Sequence, residues 1–224
     1  MLSIRGLGKT FPGPRPRVVF RDIDLDVNPG EFVAVMGESG AGKSTLLNLI
    51  AGLDRADAGT IVVDGIESTA LDDDALTELR RVRMGFVFQA FHVLPYLTAA
   101  QNVALPLSLV GVEKSVTETR VAAMLKAVGL GDRAMSMPRE FSGGELQRIA
   151  IARALVHAPR LVLADEPTGN LDPDTASQVI ALLRAEAKAR GAAGILVTHS
   201  RAAAATADRV YTLAIDGLRE ASTG

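Results

Sequence analysis

The chain has 224 residues, a net charge of −2 and no cysteine, enough for one domain, or one domain with a subdomain, around a substantial core. The missing cysteines exclude disulfides and thiolate metal sites. The charge balance lacks the basic excess of a nucleic-acid surface, and 4% aromatic residues without Trp argue against base-stacking platforms, so no nucleic-acid partner is expected.

The start, Met1-Leu2-Ser3-Ile4-Arg5-Gly6, lacks the basic-then-apolar order of a signal peptide, and an intracellular location is expected. Strands near Ile4 to Leu7, Asp22 to Val27 and Thr60 to Asp64 are expected to form an antiparallel portion, with Asp64-Gly65 as a hairpin-like turn. Glu31 to Met36 reads as a buried strand after the turn pair Pro29-Gly30. Gly37-Glu38-Ser39-Gly40-Ala41-Gly42-Lys43-Ser44 follows and fits GxxxxGK[ST] at every fixed position. Lys43 to Ala51 then reads as a helix that Gly52 can stop. That strand–loop–helix order is the setting a phosphate-binding loop requires. Glycines let the backbone aim several N–H groups at phosphate oxygens, Lys43 should reach the β- and γ-phosphates, and the Ser44 hydroxyl should bind Mg²⁺.

Arg80-Arg81-Val82-Arg83 is a small basic cluster, either a solvated helix end or a membrane-surface or phosphate contact. From Met84 to Val112 no Asp, Glu, Lys or Arg occurs. Pro95, Pro106, Gln89, His92, Gln101 and Asn102 make it a poor membrane span, and it reads as a buried strand followed either by a surface for an apolar partner or by core packing. Ser142-Gly143-Gly144-Glu145 has the form of a capping box, and Leu146, Ile149, Ala150, Arg153 and Ala154 continue it at helical spacing until Pro159. Two glycines in the first turn leave the amides open to a phosphate. In a compact unit they face away from the chain's own phosphate loop, which points to the nucleotide of a second copy.

Leu161 to Ala164 is an apolar run that releases Asp165 and Glu166 at its end. A carboxylate in that position is the metal partner of a phosphate-loop protein, so Asp165 is expected on Mg²⁺ and Glu166 as general base toward water. Ile195 to Thr198 reads as a strand before His199, Ser200 as the cap of an alanine-rich helix from Arg201 to Ala207, and Val210 to Leu213 as the last strand.

On these segments the chain resembles the ATP-binding cassette (ABC) family over nearly its whole length. Phe141-Ser142-Gly143-Gly144-Glu145 is similar to the family's LSGGQ signature, with Phe for Leu and Glu for Gln. The resemblance implies that Ser142, Gly143, Gly144 and Glu145 meet nucleotide, that Gln89 senses Mg²⁺ and the attacking water, and that His199 contacts the γ-phosphate. It implies further that Phe11 stacks on adenine, that Asn170-Leu171-Asp172 crosses a dimer interface, and that Gly37, Glu38, Ser39, Gly40, Ala41, Gly42, Lys43, Ser44 and Thr45 hold ATP. Metal contacts fall to Ser44, Gln89 and Asp165; catalytic roles fall to Glu166, His199 and Gln89.

The implied fold is α/β with a mostly parallel sheet, an N-terminal antiparallel portion and an inserted helical subdomain: core residues 1–89 and 158–224, helical residues 90–157. Gly85 to Pro95, Gln101 to Leu107 and Ala164 to Asp172 look like the lipoprotein-releasing, macrolide-export and cell-division ATPases. An ATPase with ATP and Mg²⁺ is implied, homodimeric, peripheral on the cytoplasmic face of the membrane, driving a separate permease through the region from Phe91 to Tyr96. The alternative is a cell-division-type subunit that signals through its permease without moving cargo.

Overall fold

The computed structural model describes residues 1–221, so the last three residues of the expected core segment lie outside the described residues. Strands β1 (Leu2–Phe11) and β2 (Arg17–Val27) pair antiparallel, joined by the loop Pro12-Gly13-Pro14-Arg15-Pro16. β4 (Ala58–Val63) pairs with β1 and turns into β5 (Ile66–Glu67) through Asp64 and Gly65, with φ of 50° and 81°. Two consecutive left-handed residues match the right-handed strand twist of a tight hairpin, which is why Asp-Gly serves there. This first sheet has the order β2-β1-β4-β5.

The second sheet has the order β10-β9-β3-β8-β7-β6. Its strands are β3 (Phe32–Met36), β6 (Met84–Phe88), β7 (Leu161–Asp165), β8 (Ala193–Val197), β9 (Arg209–Ala214) and β10 (Gly217–Glu220). All pairings are parallel except β9 with β10. The expected α/β fold with a mostly parallel sheet and an antiparallel N-terminal portion is present. Every residue of β8 is buried, as a strand covered on both faces must be.

Two cores share this parallel sheet, because alternate side chains of a strand leave by opposite faces. Val33, Val35, Leu161 and Leu163 join Ile4, Phe20, Leu46, Ile50 and Ile61 under the antiparallel sheet and helix α1 (Lys43–Ile50). Phe32, Val162 and Ala164 join Val103, Leu125, Ile149, Ile151 and Leu183 on the other face. That second core is closed by α3 (Ala99–Leu109), α4 (Lys114–Ala127), α5 (Gly143–Leu155) and α6 (Pro173–Ala189).

Two details differ from the sequence reading, and a third resolves a choice it left open. The helix expected from Arg201 to Ala207 is the single turn α7 (Arg201–Ala204), capped by Ser200 as expected. Thr206 Oγ1 takes the Ala203 carbonyl that another turn would have used. Strand β10 was not anticipated. The Arg80 cluster closes α2 (Asp73–Arg83) and is structural: Arg80 donates to the Ala51 and Gly52 carbonyls at the end of α1, and Arg83 pairs with Asp64.

Candidate functional site: a nucleotide cleft and an apolar groove

β3 ends at Met36, and the loop from Gly37 to Gly42 carries the chain into α1. Gly40 and Gly42 have φ of 79° and 95°. At Gly42 a Cβ would also stand 2.3 Å from Val19 Cγ1, so glycine is required twice over. Gly42 gives α1 no side-chain cap, which leaves its first amides free for an anion. Lys43 folds back and donates from Nζ to the Gly37 and Glu38 carbonyls at 2.9 and 3.0 Å.

A cavity of about 350 Å³ opens over this loop, lined by Phe11, Arg17, Val19, Ser39, Gly40, Gly42, Lys43, Ser44, Thr45, Asp165 and Glu166. Residues from β1, the loop, α1 and the end of β7 thus meet in one place. Gly37 stays in the turn, while Glu38 and Ala41 line a neighbouring cavity. Phe11 is the exposed aromatic at the mouth, with Lys9 Nζ 5.4 Å from its ring centre.

Asp165 ends β7 and lines the cavity together with Ser44. Burial pushes its carboxyl above the usual carboxylate range, and the Glu166 charge adds to this, while the nearby Ser44 hydroxyl and the Lys43 charge oppose it. Its Oδ1 is buried and makes no hydrogen bond. A serine hydroxyl beside an orphaned carboxylate oxygen is a hard-oxygen donor set that fits Mg²⁺, an ion usually held by one or two protein oxygens plus substrate phosphates. Among the described residues no group of three His, Cys, Asp or Glu could hold a metal by itself.

Glu166 has a φ of 45° and is held there by its N–H, which donates to the Val197 carbonyl at 2.9 Å. This left-handed step turns it off the strand, so that Glu166 lines both the phosphate-loop cavity and a second one, of about 280 Å³, shared with His199. His199 Nδ1 lies 2.9 Å from Glu166 Oε2, and the His199 backbone N–H donates to the same oxygen at 3.2 Å.

Gln89 does not line the phosphate-loop cavity. Its Nε2 donates to Asn170 Oδ1 at 3.1 Å and Asn170 Nδ2 donates to the Gln89 backbone carbonyl at 3.0 Å, so Asn170 holds both the side chain and the backbone of Gln89. Ser142 and Glu145 form the expected capping box at the tip of α5: Glu145 Oε2 accepts from the Ser142 N–H at 2.8 Å, and Ser142 Oγ accepts from the Glu145 N–H at 3.3 Å. The Ser142 N–H holds the Glu145 carboxyl below its usual range. Glu145 therefore stays anionic as an internal cap. A Cβ on Gly144 would meet Thr175 Cγ2 at 2.5 Å, so this glycine lets α5 approach α6 closely. None of residues 142–145 lines the phosphate-loop cavity.

Beyond the cleft runs an apolar groove of about 570 Å³, floored by Met84, Phe86, Phe88, Leu105, Pro106 and Leu109 and edged by Arg80, Arg81, Arg153 and His157. Arg153 donates to the carbonyls of His92 and Phe91, at 2.6 and 3.0 Å, both of which sit in left-handed backbone. Gln147 Nε2 donates to the Phe88 carbonyl at 3.2 Å. Phe91, Leu94 and Tyr96, expected to form a docking groove, do not line this one; Leu94 and Tyr96 are exposed. Arg17 and Gln147 carry no motif and went unnoticed in the sequence, and Arg153 was read only as part of the helical spacing after Ser142.

Residues 20–169 match the ABC transporter family. The chain belongs to that family. It is 48% identical over 219 residues to the lipoprotein-releasing system ATP-binding protein LolD of Alcanivorax borkumensis, covering 97% of this chain and 96% of the relative. It is 42% identical over 214 residues to LolD of Hyphomonas neptunium, covering 95% and 94%. Against the macrolide export ATP-binding/permease protein MacB of Salmonella choleraesuis it is 43% identical over 214 residues, and the chain spans about a third of that protein, 33% of its length. The dimeric ATP-binding cassette MJ0796 in a post-hydrolysis state, bound to ADP and Pi, superposes with a TM-score of 0.87 at 37% identity, covering 99% of this chain and 98% of that one. The chain is thus an ABC ATPase of the LolD and MacB type, a nucleotide-binding and nucleotide-hydrolysing cassette.

Proposed function

We propose that two copies of this ATPase sandwich two ATP molecules, each site joining the cleft of one copy to the Ser142–Gly144 helix tip of the other. The observation that carries the proposal is the separation within one chain: a phosphate loop with Lys43, Ser44, Asp165 and Glu166 in one cavity, and a helix tip with a buried, close-packed glycine outside it. The dimeric state of the MJ0796 cassette supports the same reading.

In that arrangement Phe11 takes the base and the amides of residues 37–45 with Lys43 take the phosphates. Ser44 and Asp165 would hold Mg²⁺, with Gln89 swinging from Asn170 to complete the site, and the ion would neutralise charge on the phosphate oxygens. Glu166 accepts the proton of the attacking water, a role worth ~10²–10⁴ in rate. His199 fixes the Glu166 carboxylate and reaches for the terminal phosphate.

The groove floored by Phe86, Phe88, Leu105 and Leu109 is the place for a helix of a separate membrane permease, with the cassette peripheral on the cytoplasmic face. Among the described residues no helix is long and apolar enough to cross a membrane. Export, lipoprotein release or mechanotransmission follows from the permease, which selects the cargo.

The test is Glu166→Gln. The variant should bind ATP, release almost no phosphate, and elute as a dimer by size exclusion with ATP. Normal phosphate release would remove Glu166 from the base role, and a monomer in saturating ATP would refute the sandwich.

A further inference from the structure

Arg17 opens β2 and is the cross-strand partner of Phe11 at the end of β1. It is exposed, and it lines both the phosphate-loop cavity and the neighbouring one behind the loop. Its Nη2 donates to the Gly40 carbonyl at 2.8 Å, near the crest of the loop. A guanidinium carries five N–H donors, and this is the one hydrogen bond the Arg17 guanidinium makes among the described residues. Arg55, Arg83, Arg184 and Arg209 each find a carboxylate, whereas among the described residues Arg17 has none within salt-bridge distance. A neutral carbonyl is a weak acceptor for a planar cation whose fork matches phosphate oxygens.

We propose that Arg17 is a second cation for the nucleotide's phosphate chain, parked on the Gly40 carbonyl and free to reach the phosphates nearest the sugar. Its position supports that assignment. Lys43 sits at the base of the loop, whereas Arg17 rises beside the aromatic at the mouth, so the two cations approach the phosphates from opposite ends. The inference rests on the reading of this cavity as the nucleotide site. A purely mechanical role, in which Arg17 only props the loop through Gly40, is the competing account.

The experiment is calorimetric titration of the whole chain with ADP at about 50 and about 300 mM salt, where screening differs strongly. Arg17→Ala should weaken ADP binding about 5- to 10-fold at low salt, the span of one partly exposed charge-assisted bond, and should flatten the salt dependence. Arg17→Lys should restore most of the affinity and the salt dependence. Arg17→Gln keeps an N–H donor for Gly40 without the charge and should behave like alanine. Wild-type affinity in Arg17→Ala, or rescue by Gln with the salt dependence unaltered, overturns the proposal. Lys43→Ala serves as the separate check on the site itself. If it binds ADP normally the cavity reading fails; if it alone loses binding, only the role of Arg17 fails.

Discussion

His199 meets one oxygen of Glu166 twice, its ring Nδ1 lying 2.9 Å from Oε2 and its backbone N–H donating to the same atom at 3.2 Å. The two residues come from the ends of neighbouring strands β7 and β8, which are parallel and in register at Asp165 and Val197. Strand pairing therefore sets the distance between them. Replacing His199 with Ala should lower phosphate release about 10²-fold, the lower end for a group that orients a proton acceptor, with ADP affinity little changed. Single-turnover phosphate release together with calorimetric ADP titration checks both halves.

Asp165 gives a pH prediction with a definite sign. Its folded pKa is raised, chiefly by burial, so the native state holds that proton more tightly than the unfolded chain. Stability from this group is greatest at low pH and is lost as pH rises from the ordinary aspartate value through the folded one. Asp165→Asn removes the buried charge, so without nucleotide it should melt about 2–4 °C above wild type at neutral pH, on the order of 1 kcal/mol. That advantage should shrink as pH falls toward the ordinary aspartate range. A thermal melt series over pH measures it, and ATP turnover should vanish in the same variant.

Gly144 against Thr175 predicts a paired substitution. Gly144→Ala places a methyl 2.5 Å from Thr175 Cγ2 and should cost about 1–3 kcal/mol as overpacking. Thr175→Ser deletes that methyl and should recover much of the loss in the double variant. Urea titrations of the four proteins close the cycle, and additive single effects would contradict the contact.

Arg153 should matter to the loop after β6. Arg153→Ala leaves the Phe91 and His92 carbonyls without their charged donor and should cost roughly 2–3 kcal/mol. Hydrogen exchange should rise first at residues 89–93. Arg153→Lys, with its single ammonium in place of a fork, should recover part of the stability.

The phosphate loop and the Asp165–Glu166 strand end were legible because glycine spacing, apolar runs and carboxylate placement are local in sequence. The capping box at Ser142 was legible for the same reason, since its partners lie three residues apart. Arg17 was not: its contact with Gly40 spans 23 positions and depends on how a hairpin folds over the loop. The helix end at Arg80 was legible, but its contact was not, because the carbonyls it caps, at Ala51 and Gly52, are supplied by a helix that ends 30 residues earlier. The groove was half-legible. The uncharged run pointed to an apolar surface, but its floor comes from alternate residues of β6 and one face of α3, not from the exposed turn around Tyr96.

Strand β7 is gripped from above and below: Leu161 and Leu163 anchor one core, Val162 and Ala164 the other. Close-packed interiors resist gradual deformation, so the two acids at its tip stand on an anvil that cannot recoil when fuel is spent. The stroke has to be taken up by what hangs from that anvil. The tether that would carry it outward is already made, from the amide of Gln147 and the guanidinium of Arg153 to the strap that leaves β6.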